Sequence, residues 1–181
     1  MREAFGMDVM VHALNSAGIL AFREFAFDMV RPGIAWYGSL PAAGMGGELG
    51  LRPVMRLVTK IVSLKELPAG HPVSYGRGYR RAEPRMIAVV PLGYADGYRR
   101  AFSDTASMVV LGREAPVAGR VCMDHTMLDV TGIPGVSPGT DVVVMGDGAR
   151  TADDLARLSG TIPYEILTQV ENSKIYRPTL F

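Results

Sequence analysis

The rhythm of apolar positions changes near residue 50. Before it, the run from Asp8 to Leu14 has the length and apolarity of a short buried strand, and Asn15 and Ser16 follow it with side-chain oxygens suited to cap a helix starting near Ala17. A strand feeding a helix is half of a βαβ unit. The next segment, FDMVRPGIAWYG, predicts another short apolar strand or turn, punctuated by Pro32 and Gly33 and closed by Gly38. PAAGMGGELG then has neither helical nor strand periodicity, so residues 1–40, a connector at 41–50 and residues 51–181 are expected to be separate parts.

After the connector the pattern becomes a series of short β-rich runs separated by turn residues: VMRLVTKIVSL, PVSYG, RMIAVVPLGYA, SMVVLG, APVAGRVCMDHTMLDV and DVVVMG. Such spacing predicts a mainly β fold, an antiparallel barrel or sandwich. One or two helices accompany it. TADDLARLSG places Thr151 and Asp154 at capping-box spacing, Leu155 and Leu158 on one face, and Gly160 past the end; TIPYEILTQV starts a second helix. ENSKIYRPTLF reads as an extended tail around Pro178.

Composition narrows the function. The chain has 181 residues, of which 48% are apolar and 20% charged, which places it among folded globular chains rather than disordered or fibrous ones. A formal charge of +1 gives no global field to recruit nucleic acid or anionic membrane, so a small molecule or a protein is the expected partner. Cys122, the single cysteine, excludes an internal disulfide and a thiolate zinc site, and a reducing cytosol is expected. The start MREAFGMDVMVHAL is unlike a signal peptide, and no apolar run reaches the roughly 18 residues of a membrane span, so the expected location is cytoplasmic.

Three groups of residues can carry chemistry, and each has a plain structural explanation beside it. Tyr94, in GYADGYRR, follows the apolar run MIAVVPL and so is delivered to a rim where Asp96 and Gly97 turn the chain. A phenol with an ordinary pKa of about 10 accepts a proton at neutral pH only when cations or donors favour the phenolate. Arg77, Arg99, Arg100 and His125 are candidates for that role, and a packing tyrosine is the plain alternative. Asn15, Ser16, Arg31, Gly33 and Ile34 form the second group, in which a helix start and a glycine turn expose N–H groups suited to a phosphate; an ordinary cap and loop explains them equally well. Cys122, Met123 and Asp124 are expected mid-strand, the cysteine and the methionine as ordinary core residues. His12, His71 and His125 are dispersed, so no metal cluster or hydrolytic triad is expected, and Asp96, Asp104, Asp124 and Asp129 read as turn and solvent residues.

In their order along the chain, HALNSAGIL, MVRPGIAWYG, VSYGRGY, VVPLGYADGYRR, GRVCMDHTMLDV and PYEIL closely resemble alanine racemase, a pyridoxal 5'-phosphate enzyme family. The resemblance implies that residues 1–40 are a remnant of the cofactor-binding (β/α)8 barrel and that the β domain completes an active site across a homodimer interface. It implies that Tyr94 is the tyrosine serving one face of the substrate α-carbon and that Met123 approaches the substrate carboxylate. Ser16, Gly33, Ile34 and Tyr164 would bind the cofactor phosphate, Arg31 would donate to the pyridine nitrogen, and Asn15 would support them. The implied reaction interconverts L- and D-alanine for peptidoglycan precursors.

One departure bears on activity. The lysines are Lys60, Lys65 and Lys174, and none stands in the lysine motif that the family carries near the start of its barrel. A (β/α)8 barrel needs roughly 250 residues, far more than the segment before the connector. The chain by itself is therefore expected to be inactive, as a truncation or as half of an enzyme completed by a complementing barrel chain. The tail also departs from the arginine- and proline-rich ending expected of the family. A non-catalytic interaction module, a racemase acting on serine or a larger amino acid, and a generic β-barrel ligand binder are the competing readings.

Overall fold

A computed structural model describes residues 6, 9–42, 44–45 and 49–170, and its contacts divide the chain into two compact units, Met1–Val54 and Met55–Phe181. Asp8 and the segment 171–181, for which a strand start and an extended tail are expected, lie outside the described residues.

In the first unit, β1 (His12–Ala13) pairs in parallel with β2 (Met29–Val30), and the connection between them carries α1 (Ser16–Ala21). Parallel neighbours need such a crossover. Asn15 is the N-cap: its Oδ1 accepts from the Gly18 N–H at 3.0 Å, satisfying one of the first-turn donors. A 3-10 turn over Ile34–Tyr37 follows β2, and the Val54 N–H donates to the Tyr37 carbonyl at 3.3 Å, which holds residues 51–54 with this unit. Ile34 is the one buried hydrophobic residue among those described here, whereas Phe22, Phe25, Phe27, Met29, Tyr37 and, at 71%, Trp36 are exposed. A two-stranded sheet with so little buried apolar surface is not stable alone.

The second unit is built from two antiparallel sheets. One has the order β3 (Leu57–Lys60), β9 (Asp141–Met145), β6 (Ser107–Val110), β7 (Arg113–Pro116); the other runs β4 (Ser63–Leu67), β5 (Arg85–Val90), β8 (Thr126–Asp129). A bridge between Val117 and Leu128 joins them. Met108, Val110, Val142 and Val144 from one sheet and Ala88, Val90 and Leu128 from the other meet in one core with Phe102 and Ile61, the two-layer burial expected of alternating strands. Two helices cover it, α2 (Ala152–Leu158) and α3 (Pro163–Gln169), with Leu155, Ala156 and Ile166 buried. The capping box of α2 is present: Thr151 Oγ1 accepts from Asp154 N at 3.2 Å, and Asp154 Oδ2 accepts from Thr151 N at 2.9 Å. Pro163 opens α3, where its missing N–H leaves no donor unmet. The chain is thus mainly β with two helices, after a short βαβ step.

Several local expectations fail. Cys122, Met123 and Asp124 are not mid-strand; β7 ends at Pro116, β8 begins at Thr126, and these residues lie in the loop between. Hydrogen bonds to side chains break the strand pattern there, since Gly119 N donates to Asp104 Oδ1 at 2.7 Å and Val121 N to Ser103 Oγ at 3.0 Å. PVSYG is likewise a 3-10 turn over Tyr75–Arg77 rather than a strand. Asp96 and Asp129 are buried, not solvent residues, because each accepts local backbone N–H groups that satisfy it inside. Leu158 is 37% exposed at the end of α2, where the apolar face has left the core. Among the described residues no helix is long and apolar enough to cross a membrane.

Candidate functional site

The loop between β7 and β8 is the platform of the second unit. After β5 the chain turns through Tyr94–Asp96, and the Tyr94 and Ala95 N–H groups donate to the carbonyls of Cys122 and Met123, both at 3.0 Å. Gly93 is required at the start of this turn: its backbone lies so close to the same two carbonyls that any Cβ would collide with them. Asp96 closes the turn from inside by accepting the Gly93 N–H at 2.9 Å. The consequence is that Tyr94 and Met123 sit on adjacent, backbone-paired segments while remaining 46% and 53% exposed.

A second tyrosine reaches the same loop. Ser74 Oγ donates to the Arg120 carbonyl at 2.6 Å, which holds the Tyr75–Arg77 turn against residues 120–122. Ser74 and Arg77 have φ of 64° and 52°, conformations that non-glycine residues adopt rarely and that the surrounding contacts must impose. Tyr75 projects from this strained turn, 71% exposed, and the Arg120 guanidinium lies 3.2 Å from where a Cβ on the neighbouring Gly76 would stand. Tyr75 lies in PVSYG, whose composition predicts a strand and so gives the tyrosine no role; the alternation of Tyr75 with Gly76 and Gly78 is the local signal of a turn.

Tyr94, Ala95, Gly97, Arg99, Arg100 and Gln169 line an open depression of about 520 Å³. The Arg99 fork is engaged by Glu165 and Gln169, at 2.6 and 2.7 Å, so its charge is shared with a carboxylate. Arg100 is exposed at the rim, and Arg77 and His125 are exposed on the neighbouring turns. Tyr164 is exposed in the first turn of α3.

In the first unit the structure brings Ser16, Gly33 and Ile34 together. Ser16, buried at the start of α1, accepts from the Gly33 and Ala35 N–H groups at 2.9 and 3.3 Å. The Arg31 N–H donates to the Leu14 carbonyl at 2.8 Å, setting exposed Arg31 beside the end of β1. Asn15 is occupied as the cap of α1. With the Gly33 and Ala35 N–H groups donating to it, the Ser16 hydroxyl keeps its own proton to donate, and nothing lies within 4 Å of a Cβ position on Gly33, so an anionic ligand oxygen such as a phosphate's can approach there. Among the described residues no group of His, Cys, Asp or Glu can hold a metal ion.

Comparison with known proteins settles the family. The family described as alanine racemase, C-terminal domain, matches residues 54–177, and the alanine racemase N-terminal domain matches residues 2–41. The chain belongs to the alanine racemase family. Alanine racemase 2 of Caldanaerobacter subterraneus is 42% identical over 99% of this chain and 48% of its own length, and the alanine racemase of Halothermothrix orenii is 46% identical over 86% of this chain and 42% of its own. Among solved structures, the Clostridium difficile alanine racemase in complex with cycloserine superposes with a TM-score of 0.85 at 34% identity, covering 94% of this chain and 46% of that one. The Streptomyces lavendulae alanine racemase gives 0.83 at 40% identity over 93% and 46%. The chain therefore spans about half the length of the alanine racemases it matches.

Proposed function

We propose that this chain supplies the C-terminal part of a pyridoxal 5'-phosphate-dependent racemase that interconverts L- and D-alanine, as the names of its relatives suggest. In this reading residues 1–40 are a barrel remnant, 41–50 a connector and 51–181 the β domain. The observation that carries it is the backbone pairing of the Tyr94 turn with the Met123 loop, which presents a phenol and a thioether on one rim.

Racemisation needs a proton removed from one face of the α-carbon and returned to the other. Pyridoxal 5'-phosphate, when bound, supplies the electron withdrawal that makes that proton acidic. Ser16, Gly33, Ile34 and Tyr164 would hold its phosphate, Arg31 would donate to its pyridine nitrogen, and Asn15 would keep the start of α1 in place for Ser16. Tyr94 would exchange the proton at its phenolic oxygen, and Met123 would flank the substrate carboxylate. Lys60, Lys65 and Lys174 do not match the family's lysine motif, so we assign the second base and the cofactor-holding amine to barrel residues outside this sequence. The assembled enzyme would be a cytoplasmic homodimer feeding peptidoglycan synthesis.

A second reading of the proton carrier is favoured by local physics. The turn that carries Tyr75 has Ser74 and Arg77 held at positive φ and Gly76 packed against the Arg120 guanidinium, and backbone strain of this kind clusters at reacting groups. Arg99, beside Tyr94, is already paired to Glu165. D-alanine formation by the chain mixed with a lysine-bearing racemase barrel and pyridoxal 5'-phosphate tests the function. Activity in the mixture supports it; silence in the mixture, with the β domain folded, removes it.

A further inference from the structure

The segment Gly93–Arg99 is fastened on two sides. One side is the backbone pairing of Tyr94 and Ala95 with the Met123 loop. The other faces α3. There Arg99 spreads its guanidinium over two acceptors, Nη2 to Glu165 Oε2 at 2.6 Å and Nε to Gln169 Oε1 at 2.7 Å. Thr161 Oγ1 donates to the same Glu165 carboxylate, and the hydrogen bonds from Thr161 and then Arg99 hold that carboxyl below its usual range. Gly97, at φ 91°, lets the turn approach so closely that a Cβ would strike the Gln169 carbonyl. Tyr164 is the immediate neighbour of Glu165 in the first turn of the helix.

An isolated surface ion pair stabilises little, so the case for this one rests on placement. Nε and Nη2 of a planar guanidinium fix the spacing and angle of two acceptors one helical turn apart, which a lysine ammonium on a flexible stem cannot do. We infer that Arg99 is a positioning residue whose fork on Glu165 and Gln169 locks α3 to the Tyr94 turn, so that Tyr164 and the tyrosine rim keep a fixed spacing. The roles of Tyr164 and Tyr94 in this inference rest on the proposed function; the mechanical coupling does not.

Hydrogen exchange on the full chain tests the coupling. In Arg99→Ala the amides of α3 and of residues 93–99 should exchange about five- to tenfold faster, with β6 and β9 unchanged. Glu165→Ala should loosen the same amides, and adding it to Arg99→Ala should add little, since the Arg99–Glu165 contact is already lost in either one. Unchanged α3 exchange in Arg99→Ala, or full additivity of the two substitutions, overturns the inference. In the assembled enzyme, Arg99→Ala should weaken pyridoxal 5'-phosphate binding, read by absorbance titration, about fivefold and lower kcat more than it raises KM, because positioning rather than substrate contact is lost. If the unsubstituted assembly neither binds the cofactor nor forms D-alanine, the proposed function fails, and the exchange comparison still decides the role of Arg99.

Discussion

Tyr79 donates its phenolic proton to Asp129 across 2.6 Å, and both side chains are buried. The bond fastens the segment after the Tyr75 turn to β8, because Tyr79 is bridged to Val73 on the other side of that turn. Arg81 lies 4.1 Å over the Tyr79 ring, and Arg85 stands 3.9 Å from Asp129. Burial pushes the Tyr79 phenol up, and the hydrogen bond and charge of Asp129 add to it, so that its pKa reaches about 12 against the lowering pull of Arg81 and Arg85. Burial also pushes Asp129 up, but hydrogen bonds from Thr131 and Tyr79 and the charge of Arg85 outweigh it and leave the carboxyl below its ordinary value.

Stability should therefore fall at both ends of the pH range through this one pair. Asp129, with its folded pKa depressed, stabilises the fold above its unfolded pKa of about 3.9, and that contribution is lost as pH falls through the lower folded value. Tyr79, with its folded pKa raised, contributes fully below about 10, and that contribution is lost as pH rises from about 10 through about 12. Tyr79→Phe leaves a buried carboxylate one donor short and should cost about 1–3 kcal/mol at neutral pH. It should also flatten the alkaline limb of a urea-midpoint profile, and a profile that overlays the unsubstituted chain would contradict this account.

Tyr98→Phe should behave in the opposite way. The Tyr98 hydroxyl is buried without a hydrogen-bond partner among the described residues, and burial pushes its pKa well above the usual range. Its ring packs on Phe102 at 4.8 Å, a contact that Phe retains. Removing an unsatisfied hydroxyl spares its desolvation, so the substitution should be neutral or stabilising by up to about 1 kcal/mol in denaturant melts. A clear loss of stability would mean that the hydroxyl is satisfied by buried water.

Thr151→Ala should destabilise the second unit by about 1 kcal/mol, since the side chain caps α2 in a reciprocal box with Asp154. The effect should shrink at acid pH. Burial raises the Asp154 carboxyl, but the hydrogen bonds from Thr151 and the charge of Arg157 leave it depressed, so the box contributes above the unfolded pKa of about 3.9 and weakens as pH falls through the folded value. Equal losses at neutral and acid pH would indicate that packing, not the cap, is being removed.

Tyr75→Phe and Tyr94→Phe, each in the assembled enzyme, separate the two readings of the proton carrier. Loss of a general acid–base group lowers kcat by about 100- to 10,000-fold, whereas loss of a rim hydroxyl mainly shifts KM. The variant showing the larger fall in kcat identifies the carrier, and near-normal rates from both would remove tyrosine chemistry from this loop.

Much of the β domain was legible along the chain because alternation and capping are local. Each of the strand pairs around Val90, Val110 and Val144 lies in a short β-rich run, and Thr151 with Asp154 announced α2 four residues at a time. The order of the motifs likewise carried the family. What the sequence could not carry were features made by residues far apart in it. Met123 left the strand pattern because Gly119 and Val121 find side-chain acceptors at Asp104 and Ser103. The Tyr75 turn met the loop that also pairs with Tyr94 only because Ser74 reaches the Arg120 carbonyl. Asp129, held locally by the Thr131 N–H, became an anchor between distant segments only when Tyr79 folded onto it. Periodicity reports which face of an element is apolar; long-range hydrogen bonds decide where loops stop and which polar groups go inside, and these exist only once the sheets have brought their partners together.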